Sequence, residues 1–213
     1  MEMNIHQALS ELKLLNSRIN KLTDRYSNDY SYIGVAKESS TNMQQPIGVS
    51  IENYKSLAQG NMDSAFGLIN RYNAIKSAVV LSNATTKVTI GGVEMTVAEA
   101  IERKTTVKYE KALLSTLINQ RNKVHTSVLD HNMRVDAEID AEIDRMNQST
   151  DKRDNVFLKE YRESQEKLRK LQVVDPLGLD VKIKALEERI GVFESEVDYV
   201  LSTSNAITKI TID

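Results

Sequence analysis

Apolar positions recur at helical spacing along most of the chain. Ile5, Leu9, Leu12, Ile19 and Leu22 follow at steps of three, four or seven, which predicts a helix over residues 4–26. Asn16 stands in the same stripe, where a polar residue can set register. A second stripe of Ala58, Met62, Ala65, Ile69, Tyr72 and Val79 predicts a helix over 51–81. Gly60 and Gly67 weaken it or admit a close neighbour. A third helix is predicted from Thr96 to about Asn147, carried by Ile101, Leu113, Leu117, Val124, Val128, Val135, Ile139, Ile143 and Met146. Unbroken, it would be roughly 75 Å long and would call for coiled-coil packing. A fourth covers about 155–173, since Asp175 before Pro176 disfavours helix. The fifth begins near Asp180. Its stripe of Ile183, Leu186, Ile190, Phe193, Val197 and Val200 is the most regular heptad in the chain.

Two stretches break this pattern. From 27 to 50 the periodicity stops, and Gly, Pro, Ser, Asn and Gln predict a long loop with room for a short strand near 32–35. From 86 to 95 the pattern alternates. "TTKVTI" is β-branched, Gly91-Gly92 supplies a two-residue turn, and "VEM" returns, so a hairpin is expected. "TVAE" at 96–99 follows as a capping box.

The same sentence is written twice. "SNATTKVTI" at 82–90 returns as "SNAITKITI" at 204–212, each after an amphipathic helix. Asn83 and Asn205 fit left-handed helix endings. A lone hairpin is marginal in water, so strand 208–212 is expected to join 87–90 in one sheet. The expected fold is mainly α: long helical hairpins or coiled coil with a small antiparallel sheet, made of hairpin 86–95 and the C-terminal strand 207–212. One elongated domain, 1–213, is expected.

Composition removes several chemistries. With no cysteine there are no disulfides, thiol nucleophiles or Cys-ligated metals. A formal net charge of −2 gives no global case for nucleic acid. The N-terminus does not look like a signal peptide, and no apolar run approaches a membrane span. His6, His125 and His131 are isolated imidazoles without helical metal spacing, and neither phosphate-binding glycine motif occurs. Catalytic, metal and cofactor assignments are therefore none. The acidic run holding Asp136, Glu138, Asp140, Glu142 and Asp144 is expected to face Lys159, Arg162, Lys167, Arg169 and Lys170 of the next helix.

The segment "LSNATTKVTIGGVEMTVAEAIERK", through Asn83, Thr86, Gly92, Thr96, Ala98, Ala100 and Arg103, resembles one found in uncharacterised helical proteins of bacteriophages and prophages. It is also similar to the septicolysin-like family. The resemblance covers about a third of the chain and its motifs are structural. It implies a helical, oligomer-prone protein of phage origin and no chemistry.

The expected function is a non-enzymatic homo-oligomer that binds. The first reading is sequestration of a small anionic, nucleotide-type signal of bacterial immunity, in the host cytoplasm, with no nucleic-acid or membrane partner. Arg103, Arg71 and Lys87 would grip the anion, Tyr30 and Tyr32 would stack on it, and Asn83 and Asn205 would line the site. The alternatives are a virion structural or assembly protein and a membrane-active septicolysin-like protein.

Overall fold

A computed structural model describes residues 1–23, 32–148 and 154–212. The chain is mainly helical, with small two-stranded antiparallel sheets. It divides into two compact units. The first is Met1–Lys104 with Glu194–Asp213, and the second is Thr105–Phe193.

The first unit opens with β1 (Glu2–Asn4) and α1 (Ile5–Thr23). Asn4 starts the helix by a reciprocal cap. Gln7 N–H donates to Asn4 Oδ1 at 2.8 Å, and Asn4 N–H donates to Gln7 Oε1 at 3.0 Å. The buried face is Ile5, Ala8, Leu12, Leu15 and Leu22. Leu9 and Asn16, expected in the stripe, are exposed. Two stripes share Ile5, Leu12 and Leu22. Small Ala8 selects the other one because it is wholly buried where α1 meets its neighbour.

Within the expected 27–50 loop, β2 (Val35–Ala36) pairs with β3 (Met43–Gln45). Residues 24–31, which include Tyr26 and Tyr30, lie outside the described residues. α2 (Ile51–Thr85) begins at Ser50, whose hydroxyl accepts from the Asn53 N–H at 3.2 Å. Beside Gly60 and Gly67 no atom comes within 4 Å of where a Cβ would sit, so neither glycine serves a close approach. Ile75 and Val79 of α2 pack with Ile5, Ala8, Leu12 and Leu15 to form the main core cluster.

β4 (Lys87–Ile90) and β5 (Val93–Thr96) form the expected hairpin. Gly91 and Gly92 both adopt positive φ, 58° and 75°, as a tight hairpin turn of this twist requires. The capping box is made as read. Thr96 N–H donates to Glu99 Oε2 at 2.6 Å, and Glu99 N–H donates to Thr96 Oγ1 at 3.1 Å. Hydrogen bonding lowers the Glu99 pKa, chiefly the backbone bond from Thr96. From that cap runs α3 (Val97–Gln148).

The second unit holds most of α3 with α4 (Asn155–Arg169) and the start of α5 (Leu179–Ile207). Lys170 meets Asp136 at 2.7 Å, Arg169 meets Glu142 at 3.1 Å, and Arg162 meets Asp140, so the expected charge match is present. α4 ends at Arg169 rather than near Val173 for a local reason. Asn132 of α3 clamps Leu171 at both backbone groups, donating to its O at 2.9 Å and accepting from its N–H at 2.8 Å. That takes Leu171 out of any helical ladder. On α5 the predicted heptad is buried at Ile183, Leu186, Ile190, Phe193 and Val197, and the stripe continues to buried Ser204.

The C-terminal strand corrects the sequence reading. β6 (Lys209–Thr211) pairs with β1, not with β4. Met3, Ile210 and Ile212 enter the core beside Ile75 and Val79. Three-residue β1, "EMN", has no β-branched residue and gives no strand signal by itself. Asn83 and Asn205 also depart from expectation. Both lie inside the last helical turn, and no described residue other than glycine has positive φ. The helices end at Thr86 and at Thr208. Thr86 N–H donates to Ser82 O at 2.8 Å, and Thr208 N–H donates to Ser204 O at 2.9 Å.

The repeat is therefore larger than nine residues. After each copy the partner strand also matches: "VEMTVAEA" at 93–100 against "MEMNIHQA" at 1–8. Val88 pairs with Met95 and Ile210 with Met3, while Thr89 pairs with Glu94 and Thr211 with Glu2. Val97 N–H donates to Thr86 O, and Ile5 N–H donates to Thr208 O. Ala8 and Ala100 are both fully buried. The unit α2–β4–β5–α3 thus has a twin, α5–β6 with β1–α1, in which the chain ends stand where the Gly-Gly turn stands in the first.

Candidate functional site

The two hairpins bring the repeat copies together in the first unit. A groove of about 240 Å³ lies between them, lined by Thr86, Lys87, Val88, Tyr199, Ser204 and Ile207 among others. Its floor is mostly apolar. Its polar atoms come largely from the hydroxyl pairs of the repeat: Ser82 Oγ is 3.4 Å from Thr86 Oγ1, and Ser204 Oγ is 3.5 Å from Thr208 Oγ1. The neighbouring turn is held from α5, where Glu196 Oε2 accepts from the Gly91 N–H at 2.7 Å.

Lys87 is the cation on this groove, and it is committed. Its Nζ donates to Glu94 Oε1 at 2.7 Å, and that bond is the main reason its pKa is raised. The twin pair, Lys209 with Glu2, stands at 3.5 Å. Both are exposed diagonal pairs across a hairpin.

The other predicted site residues are dispersed in their roles. Arg71 donates from Nε to Glu11 Oε1 at 2.8 Å and from Nη2 to Glu11 Oε2 at 3.4 Å, fastening α2 to α1. Tyr32 donates its hydroxyl to Leu22 O at 3.2 Å, tying the loop to the end of α1. Arg103 is half-buried on α3. Asn83 and Asn205 occupy equivalent half-buried positions on α2 and α5. Tyr30 lies outside the described residues. The sequence reading missed Glu11 as the partner of Arg71, and it missed Tyr199 and Glu196. Glu11 was legible as a carboxylate one helical step from buried Ala8 and Leu12. Tyr199 and Glu196 lay off the apolar stripe that was being followed.

In the second unit a smaller groove of about 150 Å³ runs beside α3 at the α4–α5 connection, lined by Arg121, Val124, His125, Val173, Val174 and Leu177 among others. Asp175 organises it by accepting backbone N–H bonds from Leu179 at 2.6 Å, Gly178 at 2.9 Å and Leu177 at 3.1 Å. These bonds, that of Leu179 above all, lower its pKa, and His125 adds to the effect. Arg121 is engaged by Asp180 at 2.8 Å. His131 meets Arg169 O at 3.0 Å. Each of these polar groups has a structural partner, so the groove offers shape and apolar surface more than reactive chemistry.

Among the described residues no group of three or more His, Asp or Glu side chains is placed to hold a metal ion. No described helix is long and apolar enough to cross a membrane. No family model, curated protein or solved structure matches the chain.

Proposed function

We propose that this chain is a non-enzymatic helical protein that works by assembling with further copies of itself, as a structural or assembly component. The observation that carries this reading is the apolar surface left on α3. Tyr109 with Leu113, and Leu129 with Met133, form two pairs spaced one helical turn apart, each residue 54–66% exposed. Exposed apolar patches of this kind mark surfaces that other protein covers. Regular heptads on long helices make a second copy of the same chain the natural cover.

Sequestration of a small anionic nucleotide is the second reading. It rests on Arg103, together with a tyrosine and the groove beside Lys87. It ranks second because Arg71 and Lys87 are already paired with Glu11 and Glu94.

Light scattering at micromolar concentration tests the first reading. The expected mass is a multiple of 24.0 kDa. Leu113→Glu with Leu129→Glu should return it to the monomer without loss of helix content. A parent protein that is monomeric at every concentration overturns the reading. Calorimetry against cyclic nucleotides and ADP-ribose derivatives tests the second.

A further inference from the structure

The two hairpins are twins in every respect but one. In β4·β5 the strands are joined by Gly91-Gly92, so the pairing is fixed within one molecule. In β1·β6 the strands are the two ends of the chain. They are held by Met1 N to Ile212 O at 2.7 Å, Ile212 N–H to Met1 O at 2.9 Å, and the register pairs Glu2–Thr211, Met3–Ile210 and Asn4–Lys209. No covalent link makes these partners belong to the same molecule.

What the β1–α1 arm touches is equally unspecific as to copy. Its main packing is against α2 and β6. Ile5, Ala8, Leu12 and Leu15 lie on Ile75 and Val79, Met3 lies beside Ile210 and Ile212, and Glu11 binds Arg71. A second chain's arm would make each of these contacts with the same atoms and the same buried area. The tether from Thr23 to the β2–β3 hairpin is residues 24–34, roughly 35 Å of chain at full extension. That is enough to reach an adjacent molecule.

We propose that the β1–α1 arm is the assembly element. It is exchanged between copies, so that β6 and the α2 face of one chain receive β1 and α1 of another. This rests on the self-assembly reading above and names the surface through which assembly occurs. Exchange adds contacts between chains without creating a new interface, which is the low-cost route to oligomers. Mutual exchange closes a dimer. Exchange passed head to tail builds an open chain of subunits.

The chain has no cysteine, so introduced pairs report without background. Glu2 and Thr211 are exposed and directly opposed. They flank the doubly bonded Met1–Ile212 pair, so theirs is the close, non-hydrogen-bonded type, with Cα atoms about 4.5 Å apart, within disulfide reach. Thr89 and Glu94 are their twins in the joined hairpin. Glu2→Cys/Thr211→Cys and Thr89→Cys/Glu94→Cys are each oxidised, run on non-reducing gels, and weighed by light scattering. The expected result is covalent dimers or a ladder from the terminal pair and monomers only from the joined hairpin. If light scattering finds an oligomer but the terminal pair closes only within chains, exchange is overturned and assembly by another surface stands. If scattering finds a monomer and the terminal pair closes within chains, both readings fall. Equal covalent dimer from both pairs marks chance collision and also overturns the exchange.

Discussion

Met1 and Ile212 face each other as a doubly hydrogen-bonded strand pair, at 2.7 and 2.9 Å, although they stand at opposite ends of the chain. Ile90 and Val93 hold the corresponding places in the other hairpin, joined there by two glycines. The consequence is that the C-terminal strand is core, not an appendage. Ile210 and Ile212 are buried against α2 and α1.

Ile210→Ala should therefore destabilise the protein by about 2–4 kcal/mol, because it deletes buried methylenes that rigid neighbours cannot replace. Val88→Ala, at the equivalent place in β4, removes fewer atoms and should cost less. Urea unfolding followed by circular dichroism measures both. Equal and negligible losses would show that neither strand is anchored as described.

The glycines divide by backbone rather than by position in the sequence. Gly91 and Gly92 have positive φ, and an alanine there is forced into the left-handed region. Gly92→Ala should cost about 1–2 kcal/mol. Gly60 and Gly67 sit inside α2 with open space around the missing Cβ. Gly60→Ala should stabilise by roughly 0.5–1 kcal/mol, since it restrains the unfolded chain and favours helix. Thermal melts of the two variants should move in opposite directions.

The helices, the joined hairpin and its cap were legible because each is written in contiguous sequence. Gly91-Gly92 and the spacing of Thr96 to Glu99 are local instructions. The pairing of β6 was not legible in that way. Strand β1 is three residues of low β-propensity, and its partner is chosen by which core Met3 and Ile210 can share. The signal that could have found it was comparative: "MEMNIHQA" at the start of the chain aligns with "VEMTVAEA", and the segment before "VEMTVAEA" aligns with the C-terminus. Following the repeat past its ninth residue would have named β1. The candidate site was less legible still. Arg71, Lys87 and Tyr32 are residue types that bind anions and bases, but Glu11, Glu94 and the Leu22 carbonyl claim them. Whether a cation is spent on its own fold depends on the partner across the packing, which spacing along one helix does not carry.

The pH dependence of the second unit follows from two carboxylates. Glu142 accepts from Arg169 and from the Tyr161 hydroxyl, and these bonds lower its pKa below the ordinary 4.5, the Arg169 bond foremost. Asp175 is lowered below 3.8 by the backbone N–H groups, that of Leu179 first. A carboxylate with a lowered native pKa contributes stability that is complete above its unfolded value. That stability is lost as pH falls through the native one. Unfolding midpoints should therefore drop between about pH 5 and pH 3. Glu142→Gln should be less stable than the parent at neutral pH, and the gap should narrow toward pH 3. A gap that is constant with pH would mean that Glu142 acts by packing and not by charge.

The twin hairpins make a stronger prediction about connectivity. If α5–β6 with β1–α1 is the same unit as α2–β4–β5–α3, a chain that is joined where this one is open, and open where this one is joined, should fold. Such a permutant starts at Val93, runs to Ile212, continues through Gly-Gly into Met1, and ends at Ile90. Two glycines suit the new joint because the same gap is already bridged by Gly91 and Gly92 at positive φ. The register on either side is matched, Thr89 to Glu94 and Thr211 to Glu2. Helix content should equal that of the parent, and the melting temperature should lie within a few degrees. Covalent closure of the terminal hairpin also pins the arm to its own β6, so the permutant should lose the arm exchange at that hairpin. A permutant that fails to fold, while a simple Gly-Gly insertion between Gly91 and Gly92 is tolerated, would show that the two hairpins are alike in sequence but not interchangeable in the fold.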